Sequence, residues 1–206
     1  MGIDQCIYSV LPCYQSKDIK IKKHLSSEIY EPSDDSYLLS NILAREIPNL
    51  LKKDKDTKLL EIGAGSGINL QAAEKAGIKK SNILGTDINP EAVKHCKKLG
   101  FHCLRSDLFK KIRGKYSVIA FNPPYLPLDR REPKRSRLAT TGGKKGNEIT
   151  VTFLRQAKKH LAKEGKIFLV GSSLSKKIEF KKLGFKAKEL AHKKMFFEDI
   201  FLWELE

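Results

Sequence analysis

Short apolar runs alternate with amphipathic stretches along most of the chain, and this alternation predicts strands that alternate with helices. The apolar runs carry few polar side chains, which is typical of strands buried on both faces of a sheet. The predicted strands cover residues 58–62, 82–87, 101–104, 116–121 and 166–171, and the predicted helices cover residues 34 to about 48, 68–77, 90–100, 148–163 and 175–184.

The end of the chain departs from this alternation. Two strand-like stretches, 185–194 and 197–205, follow each other without a helix between them, so they are expected to pair as an antiparallel hairpin. Strands that alternate with helices form a parallel sheet covered on both faces. The sequence therefore predicts an α/β fold, a doubly wound, mostly parallel seven-stranded sheet with a C-terminal antiparallel hairpin.

The limits of the first helix are predicted from its residue types. Ser33 is expected to cap its N-terminus, and Asp34 and Asp35 suit the positive end of the helix dipole. Pro48 lacks a backbone N–H and is expected to end the helix.

The chain has 206 residues, of which 40% are hydrophobic and 31% charged, and this favours a single domain over residues 1–206. Residues 1–30 carry no clear pattern and are expected to form an N-terminal extension. No stretch approaches the roughly 18 apolar residues of a membrane span, and the first residues do not resemble a signal peptide. A cytoplasmic location without membrane contact is expected.

The charge is strongly basic, with 40 Lys and Arg against 24 Asp and Glu and a formal net charge of +16. The excess is greatest between Val151 and Met195. It favours a polyanionic partner such as RNA or the ribosome. The alternative is a solvated, lysine-rich surface with no such partner.

Four cysteines, Cys6, Cys13, Cys96 and Cys103, lie far apart without a C-x-x-C pair, so reduced thiols are expected. The dipeptides at 95–96 and 102–103 each join a histidine to a cysteine, but no second close pair completes a tetrahedral zinc site. No metal is therefore predicted.

A glycine-rich turn, EIGAGSG at 61–67, follows the first strand and opens a helix. Such turns let the backbone approach a ligand closely, and dinucleotide-binding proteins also use them. The G-x-G-x-G spacing and the carboxylate of Glu61 favour a cationic ligand over a pyrophosphate. Asp87, at the end of the next strand, can accept hydrogen bonds from both hydroxyls of a ribose. The alternative for Asp87 is a helix cap, a role that suits Asn89 better.

Asn122, Pro123, Pro124 and Tyr125 directly follow the strand at 116–121. The two prolines fix the backbone and remove two N–H donors. The Asn122 oxygen and the Pro123 carbonyl can then accept both hydrogens of a planar –NH2 group, which turns the nitrogen lone pair toward a methyl donor. Tyr125 offers a flat face to a planar substrate. A plain proline-rich turn is the alternative, but the neighbouring turn and Asp87 favour N-methyl transfer.

Six segments together resemble the class I S-adenosylmethionine-dependent methyltransferases that modify –NH2 groups, and in particular the HemK/PrmC relatives of archaea and eukaryotes. They are YEPSDDS (30–36), EIGAGSG (61–67), TDINPEA (86–92), SDLF (106–109), FNPPY (121–125) and GGKKGNE (142–148). The resemblance covers about residues 28–206 and implies a Rossmann-like methyltransferase domain. Two places differ from the relatives, the basic loop at 129–137 and the pair Thr140-Thr141.

The resemblance implies S-adenosylmethionine as cofactor and assigns residues to it. Glu61 and Gly63 would line its methionine and sulfonium side, Asp87 its ribose, and Asp107 with Leu108 its adenine. The implied cofactor-binding residues are Ser36, Glu61, Gly63, Ala64, Gly65, Asp87, Asp107, Leu108 and Asn122, and the implied catalytic residues are Asn122, Pro123, Pro124 and Tyr125.

The implied substrate is the glutamine side-chain amide in the GGQ motif of a peptide chain release factor, and the implied partner is a small zinc-ribbon activator that pairs with a sheet edge. One alternative is a nucleic-acid N-methyltransferase that acts on adenine N6 or guanine N2, since the same motif can hold a flipped base. Another is a non-catalytic scaffold, which would not need the glycine turn and the Asn-Pro-Pro-Tyr motif together.

Overall fold

A seven-stranded sheet is the centre of the structure, a computed structural model that describes residues 29–206. In chain order the strands are β1 (Leu59–Ile62), β2 (Ile83–Asp87), β3 (His102–Arg105), β4 (Tyr116–Phe121), β5 (Leu126–Pro127), β6 (Thr141–Gly143), β7 (Leu161–Ser172), β8 (Ala187–Lys194) and β9 (Asp199–Leu205). The helices are α1 (Asp34–Lys53), α2 (Ile68–Lys75), α3 (Pro90–Lys98), α4 (Lys134–Thr140) and α5 (Glu148–Ala157). Two 3-10 turns cover Lys80–Asn82 and Phe180–Leu183.

The strand order in the sheet is β3-β2-β1-β4-β7-β9-β8. The first five strands pair in parallel, whereas β9 runs antiparallel to both β7 and β8. The predicted fold class is confirmed, including the C-terminal hairpin. The chain reverses direction across the sheet between β1 and β4, and this switch point opens a crevice at the carboxyl ends of the strands.

Neighbouring residues of each strand face opposite sides of the sheet, so the core has two parts. Leu59 of β1 packs with α1, α2 and α3 on one side. Leu60, the next residue, packs with α5 on the other. Burial on both faces explains why β1 and most of β4 are largely apolar runs, whereas the edge strand β3 is largely exposed.

The first helix is longer than predicted. It continues through Pro48 and ends at Lys53, because Ile47 is buried and Leu50 and Leu51 pack on the core beyond the proline. Ser33 precedes the helix, but its hydroxyl donates to the Asp35 carboxylate instead of capping the backbone.

Two other helices differ from the prediction. The one predicted at 148–163 ends at Ala157, since residues 161–163 already belong to β7, where Leu161 pairs with Tyr116 of β4. Of the helix predicted at 175–184, only the 3-10 turn Phe180–Leu183 forms.

Of the predicted N-terminal extension, residues 1–28 lie outside the described part of the chain, and so do Cys6 and Cys13. Between residues 29 and 206, no helix is both long and apolar enough to cross a membrane.

Candidate active site

A cavity of about 660 Å³ lies at the carboxyl ends of β1, β2 and β4, where doubly wound sheets bind ligands. Its lining includes every residue that the sequence assigned to the cofactor or to catalysis. These are Ser36, Glu61, Gly63, Ala64, Gly65, Asp87, Asp107, Leu108, Asn122, Pro123, Pro124 and Tyr125. The structure brings both predicted groups together, while the role of each side chain stays a prediction.

The glycine-rich turn folds tightly between β1 and α2. Gly63 and Gly65 have φ angles of 68° and 49°, in the left-handed region that favours glycine. The Ala64 amide donates to the Thr86 carbonyl of β2 at 2.8 Å and ties the turn to the sheet. The backbone of the turn therefore lines the cavity with no side chain at either glycine.

Asp87, the last residue of β2, is fixed by backbone donors on both of its carboxylate oxygens. The Gly65 amide donates to Oδ2 at 2.9 Å, and the Asn89 amide donates to Oδ1 at 2.8 Å. Burial raises the pKa of Asp87, and these hydrogen bonds partly oppose the rise. A carboxylate oxygen has lone pairs for more than one donor, so Asp87 can still accept ligand hydroxyls. Asn89, not Asp87, caps α3, by accepting from the Glu91 amide at 2.9 Å.

Glu61 is buried with one carboxylate oxygen satisfied and the other not. Asn69 donates to its Oε1 at 2.8 Å, and the Ser40 hydroxyl in turn donates to the Asn69 oxygen at 2.7 Å. Glu61 Oε2 has no hydrogen-bond partner within residues 29–206. Burial raises the pKa of Glu61 well above its usual value. A cationic or N–H-bearing ligand in the cavity would supply the missing partner.

The predicted adenine end of the cavity has a strained backbone at Leu108, whose φ is 47°. Ser106 holds this loop, because its hydroxyl donates to the Leu108 carbonyl at 2.9 Å and accepts from the Lys111 amide at 3.1 Å. Asp107 is half-exposed and pairs with Lys110 at 2.6 Å. Its carboxylate is thus shared with a surface lysine.

Asn122 begins the predicted acceptor site. Its side-chain oxygen is buried and has no hydrogen-bond partner among the described residues. The backbone that follows lies close against the segment 142–148, since a Cβ at Gly142 would lie 2.5 Å from the Pro124 carbonyl oxygen. The Glu148 carboxylate closes this segment by accepting from the Lys145 amide at 3.0 Å.

Asp35 is a buried residue that the sequence reasoning assigned only to a helix dipole. Its carboxylate accepts hydrogen bonds from the hydroxyls of Tyr125 at 3.1 Å, Tyr30 at 3.3 Å and Ser33 at 2.9 Å. It also accepts from the backbone and hydroxyl of Ser36 at 2.6 and 3.1 Å. Asp35 thereby ties the segment 30–36 to Tyr125. Both residues lie in segments that the sequence had singled out, but nothing in the pattern indicated their contact.

Glu198 also lines the cavity, and sequence reasoning missed it. It lies in the turn between β8 and β9, and burial raises the pKa of its carboxyl group. Its Oε1 is buried without a partner in the described part of the chain. Only the folding of the C-terminal hairpin brings Glu198 near Tyr125, so no local sequence signal could have indicated it.

The basic loop at 129–137 is partly neutralised by its own contacts. Arg131 pairs with Asp129 at 2.9 Å. Glu132 accepts hydrogen bonds from the hydroxyls of Thr140 and, at 2.8 Å, Thr141. Thr140 and Thr141 therefore anchor the loop, and β5 and β6 form a small parallel pair beside it.

Cys96 and Cys103 are buried free thiols, and Cys96 Sγ lies 3.6 Å from the Gly65 carbonyl oxygen behind the glycine turn. Between residues 29 and 206, no three or more His, Cys, Asp or Glu side chains gather into a possible metal site.

Sequence comparison identifies relatives over most of the chain. The model of the methyltransferase small domain family matches residues 39–197. A Methanocaldococcus jannaschii protein, provisionally named a protein N5-glutamine methyltransferase, is 40% identical over 203 residues, which are 91% of this chain and 96% of the relative. Methyltransferase HEMK2 of Mus musculus is 28% identical over 69% of this chain and 71% of its own length.

Solved structures share the fold. One is a chain of the E. cuniculi Mtq2–Trm112 complex, which is responsible for the methylation of the translation termination factor eRF1. It matches with a TM-score of 0.62 and 23% identity over 87% of this chain and 98% of its own. Another is the T. thermophilus 16S rRNA N2 G1207 methyltransferase, in complex with AdoMet and guanosine. Its TM-score is 0.52 and its identity 18%, over 84% of this chain and 43% of its own.

Proposed function

The chain belongs to the methyltransferase small domain family and to its HemK/PrmC branch of S-adenosylmethionine-dependent enzymes, and we propose that it methylates the side-chain amide of a glutamine in the GGQ motif of a peptide chain release factor. The names of the relatives support this substrate. They do not favour the nucleic-acid alternative.

The observation that carries the proposal is the buried, unpartnered side-chain oxygen of Asn122 at the head of Asn-Pro-Pro-Tyr. An acceptor buried without a donor is costly, so the site is stabilised when a substrate brings one. A primary amide has two N–H groups. Asn122 Oδ1 would accept one, and the Pro123 carbonyl the other. Together they would hold the amide nitrogen in one orientation, which lowers the entropic part of the barrier.

The donor half of the cavity fits S-adenosylmethionine. Glu61 Oε2, orphaned beside the glycine turn, suits the positively charged methionine end, and Asp87 suits the ribose hydroxyls. When bound, S-adenosylmethionine supplies a methyl group on a positively charged sulfur. The residues of the chain orient the two reactants and exclude water.

Tyr125 completes the acceptor site with an aromatic ring whose position is fixed by a hydrogen bond to Asp35. Burial and the negative charge of Asp35 raise the pKa of Tyr125, so its hydroxyl stays protonated and donates to Asp35. The ring is thereby fixed where it can lie against a planar amide.

A second subunit is part of the proposal. The structurally similar Mtq2 chain was solved in complex with a second protein, Trm112. In the present chain the outer edges of β3 and β8 pair with no further strand among the described residues, so a partner could add a strand at either edge. Contact with RNA or the ribosome through the basic surface, and a location in the cytoplasm, remain predictions from the sequence.

A labelled methyl-transfer assay tests the proposal directly. Release factor, rRNA, tRNA and DNA would be offered side by side, with and without a small zinc-ribbon protein. We expect label on the release factor alone. Label on a nucleic acid but not on the release factor would contradict the proposal.

A further inference from the structure

The turn between β8 and β9 has two faces. The Met195 amide donates to the Glu198 carbonyl at 2.9 Å, so Phe196 and Phe197 form a two-residue loop. Met195 and Glu198 line the cavity, whereas Phe196 is 92% and Phe197 84% exposed. We refer to Phe196 and Phe197 as the aromatic tip. Their rings contact each other edge to face, with centroids 4.7 Å apart.

Neither turn chemistry nor packing explains the aromatic tip. Short hairpin loops favour glycine, asparagine and aspartate over aromatic residues. The rings pack on neither part of the core. A phenylalanine side chain offers on the order of 150–250 Å² for burial, so two adjacent exposed rings leave a large apolar area in water. An exposed apolar patch of this kind commonly marks an interaction site.

The position of the aromatic tip indicates what it contacts. Its neighbours Met195 and Glu198 line the cavity that holds Asn122, so the tip projects from the rim of the acceptor site. A protein that inserts a glutamine side chain as far as Asn122 must cover part of that rim. The tip can therefore contact the substrate beyond the loop that enters the cavity.

We propose that the aromatic tip docks the body of the release factor, by inserting its two rings into an apolar depression next to the glutamine-bearing loop. This proposal rests on the proposed function. Buried aromatic side chains often dominate the binding energy of protein interfaces. Lys193 and Lys194 end β8 directly before this turn. Lys193 is paired with Asp34 at 2.7 Å, and Lys194 is exposed. The complementary surface should thus be apolar with acidic residues at its border.

The test compares a whole release factor with a short synthetic peptide that contains only its Gly-Gly-Gln segment. In the double variant Phe196→Ser/Phe197→Ser, kcat/KM for the whole factor should fall about tenfold or more. The value for the peptide should stay within about twofold, since the peptide does not reach the aromatic tip. The double variant Phe196→Leu/Phe197→Leu should retain most of the activity on the whole factor, because it keeps apolar side chains there. Leu104→Ser serves as a matched control, since Leu104 is an exposed apolar residue on β3 at the opposite edge of the sheet. Because a partner bound at the β3 edge would affect both substrates alike, this variant should leave the ratio of the two kcat/KM values unchanged.

Several results would overturn the docking role. If the serine variant lowered kcat/KM equally for factor and peptide, the effect would lie in the cavity. If it lowered neither value, the aromatic tip would make no contribution to docking. A loss in the leucine variant as large as in the serine variant would show that burial of apolar side chains is not what the aromatic tip contributes. Light scattering could instead show that the wild type is a dimer and the serine variant a monomer. If the ratio of the kcat/KM values for factor and peptide were also unchanged, the aromatic tip would be a contact between two copies of the chain. A wild-type chain that methylates neither substrate would overturn the proposed function itself. This result is distinct from the others, which all require an active wild-type chain.

Discussion

At the scale of single residues, Glu61 and Asn122 each keep one buried oxygen without a hydrogen-bond partner in the described part of the chain. Such groups cost folding free energy, about 1–3 kcal/mol each, unless a ligand satisfies them. They lie on the two sides of one cavity, one beside the glycine turn and the other after β4. We infer that Glu61 serves the methyl donor and Asn122 the methyl acceptor.

Alanine substitutions should separate these two halves. Asn122→Ala should abolish methyl transfer and leave the affinity for S-adenosylhomocysteine within a few-fold, because Asn122 acts mainly on the acceptor amide. Asp87→Ala should show the converse, with loss of S-adenosylhomocysteine binding. Isothermal titration calorimetry measures both affinities. Much weaker binding by Asn122→Ala together with normal binding by Asp87→Ala would reverse the assignment.

Glu61→Gln should exchange ligand affinity for stability. Burial raises the pKa of Glu61 well above 4.5 in the folded chain. The protonated carboxyl group therefore contributes to stability in full at a pH below its pKa in the unfolded chain. This contribution is lost as the pH rises through its pKa in the folded chain. The glutamine variant does not ionise, so without ligand at pH 8 it should be more stable than the wild type by about 1–3 kcal/mol. It should also bind S-adenosylmethionine more weakly.

Urea denaturation of both proteins at pH 5 and pH 8 measures this difference. The stability gain of the variant should be larger at pH 8 than at pH 5. An equal gain at both pH values would show that Glu61 does not titrate as the structure indicates.

Tyr125→Phe keeps the ring but removes the hydrogen bond to Asp35. We expect about a tenfold loss in kcat/KM for the release factor, because the ring is less firmly held, and unchanged affinity for S-adenosylhomocysteine. Tyr125→Ala should lose nearly all transfer. Steady-state kinetics of the two variants tests this. Equal activity of Tyr125→Phe and the wild type would show that Asp35 does not position the ring for catalysis.

Some of the cavity residues could be predicted from the sequence and others could not. The cavity residues in short motifs at strand ends were predicted, since local backbone chemistry and spacing mark them. Glu198 was not, because it reaches the cavity only through the pairing of β8 with β9 next to β7. The contact of Asp35 with Tyr125 likewise joins two segments 90 residues apart.

At the scale of elements, the segment that contains β6 and the start of α5 supports the Asn-Pro-Pro-Tyr backbone. Gly142→Ala would introduce a Cβ 2.5 Å from the Pro124 carbonyl oxygen and closer still to the Gly146 carbonyl oxygen, so the motif or the segment must shift. A displacement of about 1 Å near reacting groups can lower a rate about 100-fold. We expect a loss of transfer of about tenfold or more with little change in donor affinity.

Gly114→Ala is the matched control for this substitution. Gly114 has a φ of 84°, but a Cβ there would meet no atom within 4 Å. It should lower stability by about 1 kcal/mol through backbone strain and leave transfer by the folded protein unchanged. Thermal unfolding and methyl-transfer rates measure both effects. Full activity in Gly142→Ala would show that the segment does not hold the motif.

Element boundaries differed from prediction where tertiary packing outweighed local signals. Pro48 is a helix-ending residue by local rules, yet the apolar residues after it extend α1 onto the core. In the predicted helix at 175–184, Ile178, Phe180 and Leu183 do pack on the core, but from an irregular segment with one 3-10 turn. The central parallel strands such as β1 and β4 were predicted well, since burial on both faces leaves a largely apolar run.

At the scale of the whole molecule, the formal charge of +16 gives the chain a basic surface that attracts any polyanion. If this surface only speeds the first encounter with a protein substrate, added salt slows association, because it screens the attraction between charges over roughly 8–10 Å. If RNA were the substrate, several phosphates would be neutralised, and affinity would fall by orders of magnitude between about 50 and 200 mM salt. We expect kcat/KM for the release factor to decline only modestly over this range. A steep decline would favour nucleic acid as the substrate.

The most direct test of the central claim is mass-spectrometric mapping of the methyl group on a release factor incubated with the chain and S-adenosylmethionine. Wild-type factor should gain one methyl group, located on the glutamine of the Gly-Gly-Gln segment, and a factor with that glutamine replaced by alanine should gain none. Retained methylation of the alanine factor, or a methyl group on another residue of the wild-type factor, would contradict the account.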